Sequence, residues 1–333
     1  MTRFIQFIQS FVARLMALSV LKRLLTGVVV LGVLGLGLLA WFLSPPSDFP
    51  ANQLVTIPKG ASGLDFANNL SASHVIRSPF AFRVYARLTG LDHTLDPGTY
   101  LFAKPLILTS VVSRIGHGEH GINPVRITFT EGMTVKDINA TLSEQLPGFD
   151  SKSFLRDAST SEGYLFPDTY FFMPGDDSSD IVVRLRSQFS QQIASITPQV
   201  LASNRSFSDV VIMASILERE AQSPEDMRMV AGILWNRIDK GLPLQVDATF
   251  GYIHGENGYT PTAADLSSDS LYNTYRNKGL PPGPISNPGL NALLAAVTPT
   301  KTKNLYYLTG KDGLMHYAVT FEQHKKNRAL YLD

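Results

Sequence analysis

The longest apolar run of the chain lies close to its N-terminus. Leu24–Leu43 contains 20 residues and is interrupted by a single polar side chain, Thr26. A helix of about 20 apolar residues matches the thickness of a bilayer core. The run is longer than the apolar segment of a signal peptide, and no small-residue cleavage pattern follows it. The pattern therefore predicts a retained transmembrane helix, followed by a short linker over residues 44–54.

The charges around this run indicate its orientation. Four basic residues and no acidic residue precede it, and the first acidic residue of the chain is Asp48. Cytoplasmic flanks of membrane helices are enriched in Lys and Arg, so we expect residues 1–23 inside the cytoplasm and residues 44–333 outside it. Within the cytoplasmic segment, Met1–Leu21 is expected to form a helix on the inner membrane surface. The four basic residues are Arg3, Arg14, Lys22 and Arg23.

The remaining composition narrows the classes of function. The formal net charge of the chain is +1, so the part without those four charges carries −3, and it has no basic stripe. This balance argues against nucleic acid as a partner. The absence of cysteine excludes disulfides and cysteine catalysis. No glycine-rich phosphate loop is present and the histidines lack the spacing of metal ligands, so we expect neither a cofactor nor a metal.

A pattern of strand, glycine turn and amphipathic helix occurs twice within residues 55–150. The second copy follows the first by 72 residues, and four of 16 aligned positions are identical. Such a unit resembles the LysM-type modules that bind N-acetylglucosamine chains, and a spacer that only packs would explain the pattern equally well. The identical pairs are Thr56/Thr128, Gly60/Gly132, Asp65/Asp137 and Leu70/Leu142.

Asp209–Ala221 is predicted to be a buried helix capped by Ser208, because apolar residues cover almost its whole circumference. It carries two carboxylates, Glu218 and Glu220, which point about 200° apart on a helical wheel. Burial raises the pKa of a carboxyl group, so that a glutamic acid can act as a general acid near neutral pH. Small residues beside Glu218 leave room for a ligand, which makes it the catalytic candidate. The alternative is a structural glutamate in an ion pair.

The next helix is predicted to begin at Ser223 and Pro224, and a long irregular segment, Gln245–Pro288, follows it. Loops of this length are usually functional. Its amide, hydroxyl and aromatic side chains suit a sugar ligand, although each of them could instead hold the loop together. A hairpin around Gly310–Gly313 and a helix capped by Thr320 are predicted to close the chain. The predicted substrate-binding residues are Gln245, Asp247, Thr249, Tyr272, Asn273 and Tyr275, together with Glu162 from an earlier aromatic segment.

Five segments form motifs that can be compared with a known family. They are Ala214–Glu220, Glu162–Tyr170, Leu244–Thr249, Tyr272–Tyr275 and Gly279–Gly289. In these motifs and their order the chain resembles the MltG (YceG-like) family of endolytic murein transglycosylases, over nearly everything after residue 23. The resemblance implies that Glu218 is catalytic, in agreement with the wheel. One departure is Ala248, where the family usually has proline.

The resemblance also implies a fold, a location and partners. It implies an α+β protein with a single membrane helix, a LysM-like subdomain over residues 55–150 and a catalytic domain over residues 151–333. The protein would lie in the inner membrane of a bacterium, with its body in the periplasm. Its substrate would be the glycan strands of peptidoglycan, and the membrane-bound peptidoglycan synthases would be its neighbours.

The chemistry implied by the resemblance is cleavage within a strand at the β-1,4 bond between N-acetylmuramic acid and N-acetylglucosamine, with formation of a 1,6-anhydro end. Glu218 would act first as acid and then as base. Two alternatives stay open. One is an anchored adaptor that binds peptidoglycan without cleaving it. The other is a muramidase that uses water, with Asp247 or Asp168 as the base.

Overall fold

The N-terminal helix α1, Val20–Leu43, begins the part of the chain that a computed structural model describes, residues 20–256 and 258–332. The surface helix predicted for Met1–Leu21 lies outside these residues, apart from its last two positions. Within α1, Leu24–Leu43 has a mean hydropathy of 2.3 and is not buried by the rest of the protein. A helix of this length and composition is consistent with a single-pass membrane anchor.

Backbone contacts divide the chain into two units, Met1–Asn123 and Pro124–Asp333. In the first unit, one antiparallel pair of strands packs against three helices around a buried core. A 3₁₀ turn, Leu91–His93, separates the third helix from the second strand. The strands and helices are β1 (Leu54–Ile57), α2 (Gly63–Ala72), α3 (Pro79–Thr89), β2 (Gly98–Leu101) and α4 (Leu108–Gly116).

The end of α1 is attached directly to the core of the first unit. Leu43 and Phe49 pack against that core. The guanidinium of Arg77 donates a hydrogen bond to the carbonyl of Pro45 at 2.8 Å and lies over the ring of Trp41, 5.2 Å from its centroid. The segment that follows α1 is therefore held to the rest of the first unit by both apolar and polar contacts.

The second unit begins with another antiparallel strand pair and three helices, which enclose an apolar core of their own. These elements are β3 (Val125–Thr128), α5 (Val135–Gln145), α6 (Ser151–Asp157), β4 (Thr169–Phe172) and α7 (Ser178–Ala202). The packing of helices on separate two-stranded antiparallel sheets makes this an α+β protein, as predicted.

The two copies of the sequence repeat have the same local structure, and one copy lies in each unit. Each strand leads through a glycine in the left-handed region, Gly60 with φ 76° or Gly132 with φ 80°, into a helix. Each helix begins with a capping box, in which a hydroxyl and a carboxylate satisfy two free backbone N–H groups. The predicted strand, turn and helix are thus confirmed in both copies. The capping pairs are Ser62/Asp65 and Thr134/Asp137.

Three helices form the main core of the second unit, α8 (Phe207–Glu220), α9 (Pro224–Asp239) and α12 (Leu290–Val297). The burial predicted for α8 is confirmed, since its side chains from 210 to 217 are all buried. The predicted cap Ser208 is wrong. Ser206 caps the helix by accepting a hydrogen bond from the N–H of Asp209. The helix starts earlier because Asp209 is the third helical residue after Ser206, which places its N–H within reach of the Ser206 hydroxyl.

The segment Gln245–Pro288 was predicted to be irregular throughout, and this is wrong for two short helices. The helices are α10 (Ala248–His254) and α11 (Ala263–Ser267). They are too short to show an apolar period, and α11 buries none of its residues. The predicted hairpin and capped last helix are confirmed. They are β5 (Tyr306–Thr309), β6 (Met315–Ala318) and α13 (Phe321–Tyr331).

Candidate active site

Glu218 lies in the last turn of α8 and lines an open pocket of about 800 Å³, here named the central pocket. The second copy of the repeat forms one wall of this pocket through its glycine turn and helix α5. The start of α10 forms another wall. The lining of the central pocket includes Glu131, Gly132, Glu218, Arg219, Glu220 and Asp247.

The surroundings of Glu218 favour its protonated form. Burial raises the pKa of its carboxyl group, and the charge of Glu131 raises it further. One contact opposes them, since the backbone N–H of Gly289 donates a hydrogen bond to Oε2 of Glu218 at 2.8 Å. No salt bridge to Glu218 is found in the described part of the chain. The carboxyl group is therefore accessible from a pocket and is not held by a cation.

Gly289 can approach Glu218 only because it has no side chain. A Cβ atom at this position would lie 2.6 Å from Cγ of Glu131, which is closer than such atoms can come. On the other side, a Cβ atom at Gly132 would lie 3.7 Å from Cγ of Glu218. That distance is an ordinary van der Waals contact, so only Gly289 needs to be glycine for reasons of space, whereas Gly132 needs it for its positive φ of 80°.

Glu220 also reaches the central pocket, but its carboxylate is engaged. The hydroxyl of Tyr307 donates a hydrogen bond to its Oε2 at 2.8 Å. Burial raises the pKa of Glu220, and the charge of Asp247 adds to the effect. The two glutamates of α8 therefore differ in their partners: Glu218 accepts from a backbone N–H, and Glu220 accepts from a buried phenol.

A second cavity of about 370 Å³, the inner pocket, contains the predicted residues Glu162 and Tyr272. The Glu162 carboxylate accepts hydrogen bonds from the N–H of Val135, at the start of α5, at 3.2 Å and from the side-chain amide of Asn287 at 3.1 Å. Burial nevertheless raises the pKa of Glu162 to about 7. Its charge therefore changes close to neutral pH.

A third cavity of about 660 Å³, the outer pocket, contains the predicted residues Gln245, Asp247 and Tyr275. The hydroxyl of Tyr275 donates a hydrogen bond to Oδ1 of Asp247 at 2.6 Å. The guanidinium of Arg237 donates to Oε1 of Gln245. Side chains of the hairpin and of α13 complete this pocket.

The central pocket adjoins the inner pocket and the outer pocket, and the three together are here named the groove. Asp137, Arg219 and Gly251 line both the central and the inner pocket. Glu220, Asp247 and Thr260 line both the central and the outer pocket. Glu218 lines the central pocket, which meets the inner pocket along one set of residues and the outer pocket along another.

Two predicted residues lie in the interior and not along this groove. Thr249 is fully buried, and its hydroxyl donates to the carbonyl of Val246 at 2.9 Å. Asn273 is also fully buried, and its amide nitrogen donates to three backbone carbonyl groups within residues 265–268 at 2.8–3.2 Å. Both side chains hold the segment after α9 in shape.

The sequence analysis missed Glu131, Arg219 and Tyr252 as residues of the groove. Glu131 precedes the glycine of the second repeat copy, where only a turn was considered. Arg219 separates the two glutamates of α8, and a charged residue within a buried helix was a signal that could have identified it. Among residues 20–256 and 258–332, no group of His, Asp or Glu has the arrangement of a metal site.

A carboxyl group whose pKa is raised by burial and which lines an open polar pocket can serve as the general acid of an enzyme that cleaves glycosidic bonds. The chain belongs to the YceG-like family, whose model matches residues 55–329. It is 30% identical over 306 residues to the endolytic murein transglycosylase of Bacillus subtilis (strain 168), with 84% of each chain covered.

Two further relatives extend the comparison. The endolytic murein transglycosylase of Streptococcus pneumoniae serotype 2 (strain D39) is 25% identical over 86% of this chain, which spans 60% of the length of that relative. A crystal structure of a yceG-like protein from Listeria monocytogenes is 29% identical and superposes with a TM-score of 0.57, covering 82% of this chain and 98% of the other.

Proposed function

We propose that this protein is an endolytic peptidoglycan lytic transglycosylase, with Glu218 as its catalytic acid and base. The observation that carries the proposal is the place of Glu218, partly buried without a cation and open to the central pocket of the groove. Membership of the YceG-like family and the named activity of the Bacillus and Streptococcus relatives support it.

The proposed reaction needs only one carboxyl group. Protonated Glu218 gives its proton to the oxygen that leaves with N-acetylglucosamine, while the bond from that oxygen to C1 of N-acetylmuramic acid breaks. The C6 hydroxyl of the same muramic acid then bonds to C1 and gives its proton back to the Glu218 carboxylate. Because this nucleophile belongs to the substrate, its effective concentration is high and no second catalytic carboxylate is required.

The Gly289 N–H has a defined part in this cycle. It donates to Oε2 of Glu218 and therefore stabilises the carboxylate that exists between the two proton transfers. Burial acts in the opposite direction and favours the acid that starts the cycle. The balance of the two gives one group that can both lose and regain a proton.

The two pockets that adjoin the central pocket support cleavage inside a strand, because sugars can lie on either side of the broken bond. In this proposal Glu162 and Tyr272 bind the strand in the inner pocket. Gln245, Asp247 and Tyr275 bind it in the outer pocket. Thr249 and Asn273 support the groove from the interior.

The proposed location follows from α1. Anchored by Leu24–Leu43, residues 44–333 face the periplasm, where new strands emerge from peptidoglycan synthases, and cleavage there would end strand elongation. The region over residues 55–150 contains the two repeat copies, which we propose as LysM-like glycan contacts. Residues 151–333 then carry Glu218 and most of the groove.

Product analysis on the full chain in detergent tests the proposal. Uncross-linked peptidoglycan strands are incubated with the wild type and with Glu218→Gln, and the ends of the products are identified by mass spectrometry. We expect anhydro ends from the wild type and none from Glu218→Gln, since an amide has no titratable proton. Glu144→Gln, at an exposed position of α5, is the matched control and should cleave normally.

The same experiment separates the two alternatives. Reducing ends in place of anhydro ends would identify a water-using muramidase, for which Asp247 is the better base because it lies in the central pocket with Glu218. Asp168, in contrast, is exposed and accepts a hydrogen bond from Gln188. Binding of strands without any new ends would identify an anchored adaptor.

A further inference from the structure

Arg219 lies between the central and inner pockets and has unused hydrogen-bonding capacity. One of its terminal nitrogens, Nη2, donates to the carbonyl of Gly132 at 3.0 Å. Its Nε is buried and has no partner among the described residues. Burial lowers the pKa of the guanidinium, while the charges of Asp137 and Glu162 raise it. A guanidinium carries five N–H groups, and Arg219 lines both pockets, so its terminal nitrogens can donate to a ligand there.

The remaining walls of the inner pocket suit a sugar. The rings of Tyr252 and Tyr272 lie 5.2 Å apart, inclined at 43°, and both line the pocket. Both phenols lie near Glu162, since burial and then the charge of Glu162 raise the pKa of each. The pocket thus combines flat apolar surfaces, a donor at Arg219 and an acceptor at Glu162.

The size and charge of the pocket select among ligands. Ligand pockets have volumes of about 300–1,000 Å³, and 370 Å³ is at the small end, as expected for a single sugar ring. The charged residues that line it balance, Lys136 and Arg219 against Asp137 and Glu162, so the pocket has no net charge that would favour an ionic ligand. A neutral acetamido group fits better, since its carbonyl accepts one hydrogen bond and its N–H donates another.

We propose that the inner pocket is a subsite for the N-acetylated sugar beside the cleaved bond, in which Arg219 donates to the acetamido carbonyl and Glu162 accepts from its N–H. This assignment rests on the proposed function, because it requires a glycan strand in the groove at Glu218. It makes Arg219 a positioning residue that reads the acetamido group, with no part in proton transfer.

Calorimetric binding to the full-length Glu218→Gln protein in detergent tests the subsite without cleavage. The probes are chitotetraose and cellotetraose, which share a β-1,4 backbone and differ in the acetamido group at C2. We expect chitotetraose to bind at least tenfold more tightly, and adding Arg219→Lys to remove most of this preference while cellotetraose binding stays the same. Arg126→Lys, at an exposed position of β3, is the matched control.

Tyr272→Ala provides a second test that leaves the charges in place. It should weaken the binding of both tetramers about equally, because it removes a flat surface and not the acetamido contact. Equal affinity for the two probes, or an unchanged preference in Arg219→Lys, would overturn the subsite. So would a failure of chitotetraose to bind at millimolar concentration.

The subsite and the proposed function can fail separately. If the preference depends on Arg219 and the wild type releases no products from strands, the subsite stands and the lytic activity is wrong. If the wild type cleaves strands and Arg219→Lys keeps both the acetamido preference and the wild-type KM, only the subsite is wrong. A lower kcat at an unchanged KM would also contradict a positioning role in binding.

Discussion

The acidity of Glu218 is the result of three neighbours that act in different directions. Burial and the charge of Glu131 raise the pKa of Glu218, and the N–H of Gly289 lowers it. The hydrogen bond from Gly289 and the charge of Glu131 act at short range. Gly289 lies so close to Glu131 that a side chain at this position would collide with it. Glu131 therefore influences the proton on Glu218 without any need to touch the substrate.

Replacement of Glu131 by Gln is expected to change the pH profile of cleavage. The substitution removes a negative charge that raises the pKa of Glu218, so this pKa falls. Because the reaction begins with protonated Glu218, activity should disappear at a lower pH on the alkaline side. Rates of product formation measured between pH 5 and 9 check the shift, and Glu144→Gln serves as the control. An alkaline limb that stays in place would show that Glu131 does not act on Glu218.

Several helix starts could be predicted from the sequence, because the signals of a helix N-terminus are local. Ser223 and Thr320 cap α9 and α13 as their spacing indicated, and both copies of the repeat have the predicted turn. The groove was harder to predict. Glu131 reaches Glu218 only through the packing of the second repeat copy on α8, which no local pattern records. The short helices α10 and α11 were not predicted because they are too short to show an apolar period.

The equivalent caps of the two repeat copies are expected to have different effects on function. Ser62→Ala and Thr134→Ala each remove a capping hydroxyl and should each cost about 1 kcal/mol of stability. Among the described residues, the lining of the groove includes the helix capped by Thr134 and none of α2, and Thr134 itself lines the inner pocket. Thermal unfolding and cleavage assays should therefore show a loss of stability in both variants and a loss of activity in Thr134→Ala alone. A comparable loss of activity in Ser62→Ala would contradict this division of roles.

At the scale of the whole molecule, the chain consists of two units that share a repeated motif, and the first unit begins with a long apolar helix. The copy in the second unit contributes to the groove, whose lining among the described residues is drawn from that unit. The same motif therefore occurs in two different surroundings, and the four identical positions could not distinguish the copy that lines the groove. The residues that make the difference, such as Glu131 in place of Lys59, lie between the shared positions.

The absence of cysteine allows a direct test of the proposed topology. Ser47→Cys places a single thiol at an exposed position just after α1, and Ser10→Cys places one before it. A membrane-impermeant maleimide added to spheroplasts should label Ser47→Cys at once and Ser10→Cys only after the membrane is opened. Labelling in the reverse order would place the body of the protein in the cytoplasm and would exclude access to peptidoglycan.

The attachment of α1 to the first unit has a mechanical consequence. Leu43 packs against the core of the unit, and Arg77 donates a hydrogen bond to the carbonyl of Pro45. The end of α1 is therefore fixed to the unit. If α1 spans the bilayer, a change in its tilt or rotation also turns the first unit. Lipids that thin or thicken the membrane change the tilt of such a helix, and they would therefore change the orientation of the first unit relative to the membrane.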